Sequence, residues 1–172
     1  MLGKKLALVV CIAFMAGSTL MAQDYIGAAK CKMCHNKTTT GAQYKIWAAG
    51  PHANALKSLS SPESLAYAKE NGIADPTKDA GCLKCHSTYG AIDQNLNASL
   101  TAEEGVSCES CHGPGSAYKS ATVMKDQAKS IEKGLIVPDE KLCVKCHNKE
   151  NPFHKPFDYA AASKKIAHPN PA

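Results

Sequence analysis

One pentapeptide, Cys-x-x-Cys-His, is written four times along this chain. The copies are Cys31-Lys32-Met33-Cys34-His35, Cys82-Leu83-Lys84-Cys85-His86, Cys108-Glu109-Ser110-Cys111-His112 and Cys143-Val144-Lys145-Cys146-His147. The spacing is that of covalent c-type haem attachment. Two thiols one helical turn apart can each add to one vinyl group of the same porphyrin. The histidine directly after the second thiol then falls under the iron as its axial ligand, one of the levers by which a protein tunes haem. Two other uses of paired cysteines compete. Cys82 and Cys85 with Cys108 and Cys111 roughly fit a four-thiolate zinc site, and an exported chain permits disulfides. Neither explains why a histidine follows all four pairs. The reading is therefore four covalently bound haem c groups, held by eight of the nine cysteines, with His35, His86, His112 and His147 as proximal iron ligands.

The chain has 172 residues, a one-domain length. Its first 22 residues read as a secretory signal: Lys4 and Lys5 form a positive start, Leu6 to Ala16 an apolar run, and Gly17 to Ala22 a more polar end with cleavage after Ala22. The bland alternative is an uncleaved N-terminal anchor, although the apolar run is short for a membrane span. Cys11 lies inside that run and lacks the small preceding residue of a lipidation site, so it is read as discarded with the leader. Residues 23–172 are then the haem-bearing domain. Export fits haem attachment, which takes place outside the cytoplasm, and no later segment is apolar enough to span a bilayer. The expected location is the periplasm.

That domain holds little with which to build a core. Leu, Ile, Val and Phe make up 21 of its 150 residues, or 14%, below what normally supports globular packing. Four large flat porphyrins would repair the deficit, and the chain without them is expected to be largely unfolded, as small metal-dependent domains are. The formal charge of +5 suggests nucleic acid or a membrane surface, but the suggestion fails. Without Lys4 and Lys5 the charge is +3, and eight haem propionates would bring it to −5. No arginine is present for bidentate phosphate recognition. The lysines are better placed to pair propionates and to form docking patches for redox partners.

Local signals describe helices and loops. Thr38 to Ala49 reads as a helix, with Tyr44 and Trp47 on one face and Gly50-Pro51 as its end. His52 opens a short helical stretch through Leu59. Ser61 and Pro62 start a helix that runs to Glu70. Asp75 to Gly81 is a turn-rich linker, and His86 to Ala98 is mostly loop, with room for short strands. Gly113-Pro114-Gly115 breaks the chain after the third motif. Met124 to Lys133, a segment from Pro138 that carries the fourth motif, and Phe157 to Ala167 complete the helices. The motifs lie 51, 26 and 35 residues apart, too unequal for a solenoid. The second and third, closest in sequence, are expected to be neighbours in space. The fold class is mainly α with extensive loops, a small multihaem cytochrome fold wrapped around its cofactors.

Histidine is in short supply. Of the seven, four follow the motifs, leaving His52, His154 and His168. Four six-coordinate bis-histidine irons would need four more imidazoles. At least one iron is therefore open or takes another ligand such as Met, Lys or water.

Three stretches resemble the tetrahaem cytochrome c-554 family: Gly27 to Leu56, with Trp47 and Pro51-His52-Ala53-Asn54-Ala55; Gly105 to Ser116, around Cys108-Glu109-Ser110-Cys111-His112-Gly113-Pro114-Gly115; and the C-terminal helix from Phe157-Asp158 to His168. The resemblance implies haems in closely stacked pairs. It implies His52 as distal ligand of the third haem, His168 as distal ligand of the fourth, and an open iron on His86. Family members carry a distal histidine for the first haem soon after the Gly-Pro-Gly turn. Here Ser116 to Met124 has none. Candidates to replace it are His154, then Met124, then Tyr118 or Lys119, with a plain loop position as the other reading of His154.

The resemblance also implies a role: an electron carrier that accepts electrons from a multihaem oxidoreductase of nitrogen metabolism, or exchanges them with a quinone-linked cytochrome. The competing class is an enzyme reducing nitric oxide, nitrite or hydroxylamine at a five-coordinate haem. The sequence supplies no obvious general acid for it. Glu103, Glu104 and Glu109 lie near the third motif and are read as solvated charges. A gas sensor would need a signalling domain that the sequence lacks.

Overall fold

The computed structural model describes residues 23–92 and 99–170. The leader expected over residues 1–22 lies outside them, as do residues 93–98. Among the described residues there are short helices and no strands. The chain is mainly α.

In order, the helices are α1 (Ala28–His35), α2 (Gln43–Ala49), α3 (Ala55–Ser58), α4 (Pro62–Glu70), α5 (Ala80–His86), α6 (Thr88–Ala91), α7 (Cys108–His112), α8 (Ala121–Met124), α9 (Gln127–Glu132), α10 (Glu140–Cys143) and α11 (Tyr159–Ile166). None exceeds nine residues, and helices this short do not hold themselves together in water. Caps fix their starts. Ser61 accepts from the Ser64 N–H at α4, with Pro62 in the first turn. Asp79, Asp126, Asp139 and Asp158 do the same at α5, α9, α10 and α11. Each cap satisfies a backbone donor that the helix itself cannot. Two of these aspartates therefore start the helices that bring in the second and fourth motifs.

Three expected helices are broken or cut short: the one expected to carry the fourth motif, α10, ends at Cys143, so Cys146 and His147 lie beyond it. Over 38–49 a 3₁₀ turn at Thr38–Thr40 gives way to α2 through Gly41 and Ala42, both at positive φ (98° and 50°). Over 124–133 the chain leaves helix at Lys125 and Asp126, and Asp126 caps α9 anew. The stretch after the second motif, read as mostly loop, begins with α6 before the described residues stop at 92. The boundaries of α4 and α11 follow the sequence closely, because Ser61-Pro62 and Asp158 are unambiguous starts.

The protein core is small. The buried apolar residues are Ala28, Leu59, Ala68, Leu83, Leu100 and Tyr118, of which two are alanines. Meanwhile Met33, Ile136, Val137, Val144 and Phe153 stand 39–73% exposed. Met33 and Val144 lie inside motifs, and Ile136 adjoins His112, whose Nδ1 lies 3.1 Å from the Ile136 carbonyl. Some of its apolar side chains thus lie in or beside the motifs, while others, such as Phe153 on Tyr67 at 5.7 Å between ring centres, pack against aromatic neighbours.

Candidate haem-binding sites

Three of the four motif histidines are oriented through Nδ1. That of His86 lies 2.8 Å from the Ala55 carbonyl and 3.1 Å from the Ser58 hydroxyl. That of His112 faces the Ile136 carbonyl at 3.1 Å, and that of His35 faces Gln43 Oε1 at 3.3 Å. An N–H held at Nδ1 leaves Nε2 free for a metal and fixes the ring's direction. Gln43 is held in turn, its amide donating to the carbonyls of Thr40 and Pro169. His147 is positioned by stacking instead, its ring 4.7 Å from that of Phe157 at an interplanar angle of 14°.

Two pairs of imidazoles then face each other. His52 and His147 have ring centres 6.0 Å apart, and His112 and His168 have ring centres 5.9 Å apart. A metal bound by two opposed imidazoles, at about 2 Å from each nitrogen, separates the ring centres by about 6 Å. The two ring-centre separations are of that size. Burial lowers the proton affinity of all four rings, so each keeps its lone pair at neutral pH.

The partners are exchanged relative to expectation: His52 faces the fourth motif rather than the third, and His168 faces the third rather than the fourth. Backbone geometry explains the first. Gly105, at φ +63°, runs so close to the His52 carbonyl that a Cβ there would lie 2.7 Å from it. The Val106 N–H donates to that carbonyl at 3.0 Å. His52 is thereby tied through its backbone to the entry of the third motif while its ring reaches the fourth. The Gln43–Pro169 hydrogen bond anchors the residue after His168 beside the first motif, and His35 lies near enough to both His112 and His168 to disfavour their protonation.

Four candidates remain: His154, Tyr118, Lys119 and Met124. His154 lies beside His147, whose protonation it disfavours, rather than beside His35. Tyr118 is 7% exposed, and its hydroxyl donates to the carbonyls of His112 and Gly113 at 3.1 and 2.7 Å. Lys119 is exposed. Met124 ends α8, half-buried, and α8 is tied to α9 by the Ser130 hydroxyl on the Val123 carbonyl.

The motifs are joined in a definite pattern. The Cys31 and Cys108 thiols lie close enough to perturb each other's ionisation, which brings the first motif to the third. Cys85 and Cys146 are likewise close, and Lys84 pairs with Glu150 at 2.7 Å, which brings the second to the fourth. The second and third also touch, as their closeness in sequence suggested: the Thr88 hydroxyl lies 2.9 Å from Ser107 Oγ and 2.7 Å from Ser110 Oγ, and accepts from the Ser107 N–H at 2.7 Å. All eight motif cysteines are free thiols. Among the described residues no three His, Cys, Asp or Glu side chains converge on a point where they could hold a metal ion, so the thiols of the second and third motifs do not form a four-ligand cluster.

Sequence reasoning missed the carboxylates. Glu109 is not a solvated charge: it is 2% exposed and accepts the N–H groups of Ile26, Gly27 and Gly115 at 2.7–3.1 Å. Glu104, half-buried, accepts from Ala28, and its proton affinity is raised by burial. Glu103 is exposed, as read. Since α1 has no side-chain cap of its own, these two acids from the third-motif region do the capping across the fold. The one signal available was the position of Glu109 between two attachment cysteines.

Comparison with known proteins agrees with this architecture. Residues 30–113 match the family described as cytochrome c554 and c-prime. Cytochrome c-554 of Nitrosomonas europaea is 32% identical over 156 residues, covering 77% of this chain and 61% of that protein. This chain thus spans less than two thirds of the relative's length. No solved structure matches significantly. The family match runs through the first three motifs, and the similarity to the relative carries it further along the chain: the protein belongs to the cytochrome c-554 family, whose members are c-type cytochromes.

Proposed function

We propose that this protein is an exported tetrahaem electron carrier, with residues 1–22 as its leader and 23–172 as one haem-bearing domain in the periplasm. The observation that carries the reading is the pair of imidazole gaps near 6 Å, each opposite a Cys-x-x-Cys-His motif. Each haem, when bound, supplies an iron that cycles between ferric and ferrous. The chain supplies the rest. Eight cysteines tether, His35, His86, His112 and His147 ligate from one face, and His52 and His168 close the fourth and third sites from the other. Glu109 and Glu104 lock the first motif to the third, while Lys84 and Glu150 hold the second to the fourth. Motif-to-motif contacts of this kind favour transfer along a continuous row. Exposed lysines form surfaces for redox partner proteins, with a multihaem oxidoreductase of nitrogen metabolism or a quinone-linked cytochrome as the natural donor and acceptor. No helix among the described residues is long and apolar enough to cross a membrane.

The second motif supports an additional reading. No imidazole faces His86, and the next residue, Ser87, is 1% exposed with a hydroxyl that has no partner. It lines a cavity of about 370 Å³ with Thr88, Ala91 and Val106. A small nitrogen species admitted to this cavity, which Cys85 also lines, would lie beside the second motif, so reduction of nitric oxide, nitrite or hydroxylamine is the alternative function. The mass of the purified protein tests the primary reading: it should equal residues 23–172 plus four haems. Steady turnover of nitric oxide or hydroxylamine by the reduced protein would favour the alternative, and binding without turnover would leave the carrier.

A further inference from the structure

The chain has no histidine left for His35. His52 faces His147, His168 faces His112, and His154 lies beside His147. The Tyr118 hydroxyl is occupied by two backbone carbonyls. The vacancy at His86 is the one the family resemblance implies. The vacancy at His35 is a departure belonging to this chain.

The surroundings of the first motif differ from those of the others. Cys34 is the one exposed thiol among the eight motif cysteines, and Met33 next to it is 73% exposed. From Tyr25 to Ser61 the chain carries Lys30, Lys32, Lys37, Lys45 and Lys57 and no Asp or Glu. Lys32 lies over the Tyr44 ring at 5.3 Å, which places its charge above α2. Set against Glu104 and Glu109 at the start of α1, these five lysines leave an excess of positive charge that draws small anions towards the site. Resting on the haem reading above, we infer that the first motif holds a second open iron, a surface site for a small anionic ligand such as azide or nitrite.

The test is cyanide binding to the ferric holoprotein, read by EPR and by stoichiometry, with haem content fixed by mass. The holoprotein should bind one more cyanide than a Cys31→Ser/Cys34→Ser variant carrying three haems. The association rate of azide, an anion at neutral pH, should fall with added salt at this site. It should fall about tenfold in Lys30→Glu/Lys37→Glu at low salt, a surface variant that keeps the comparison available if the cysteine variant does not fold. An iron at the first motif that is low-spin before cyanide is added, with equal stoichiometry in holoprotein and variant, would overturn the inference. So would Met124→Leu opening a site that the native chain lacks, since Met124 would then be the missing ligand. A mass showing no haem on the first motif would overturn the haem reading itself and this inference with it.

Discussion

At the scale of single residues, the proposed ligand set rests on two histidines outside the motifs. His168→Ala should convert one low-spin iron to high-spin and leave the others unchanged, and the affected haem should be the one on Cys108 and Cys111, because the His168 ring faces His112. Redox potentiometry of that variant, combined with removal of single haems, checks which one moves. Glu109→Ala should be the costliest single change outside the haem ligands. It strips three backbone donors of their acceptor in a site 2% exposed, a loss of about 3 kcal/mol that should lower the thermal midpoint by about 10 °C. Calorimetry of the ferric holoprotein measures it. The four motifs are legible in the sequence as a repeated pattern of two cysteines and an adjacent histidine. Which distal histidine faces which motif was not, because no local signal records that Gly105 passes under the His52 carbonyl. Glu109 looked like a surface charge because its partners lie 6 to 83 residues away.

At the scale of elements, the caps decide how firmly each ligand is presented. Asp158 starts α11, and α11 leads directly to His168. Asp158→Ala should cost about 1 kcal/mol of helix stability and raise the high-spin fraction on warming without abolishing the low-spin species at 10 °C, which variable-temperature visible spectroscopy would follow. Elements with strong starts, such as Ser61-Pro62 and Asp158, were readable to within a residue or two. Those that broke were interrupted by backbone features of low sequence contrast: Ala42 at positive φ has no residue-type signature, and Lys125-Asp126 reads as helix until Asp126 turns to cap the next one.

At the scale of the whole molecule, the short helices and the six buried apolar residues leave most of the cohesion to the cofactors. The apo chain, made by changing all eight motif cysteines to alanine, should have little helical circular dichroism and should lose the cooperative unfolding transition of the holoprotein. The reading of a mainly α, loop-rich fold came from local helix starts and breaks, while the 14% Leu, Ile, Val and Phe in residues 23–172 pointed to cofactors as the filling of the interior. How the motifs pair, first with third and second with fourth, emerges only in three dimensions, through Cys31–Cys108, Cys85–Cys146 and Lys84–Glu150. The most direct test of this arrangement is an EPR spectrum of the ferric holoprotein with spin quantitation. Two low-spin irons, from the His52–His147 and His112–His168 pairs, together with two high-spin irons, are the expected result; four low-spin irons, or low-spin signals that survive both His52→Ala and His168→Ala, would contradict it.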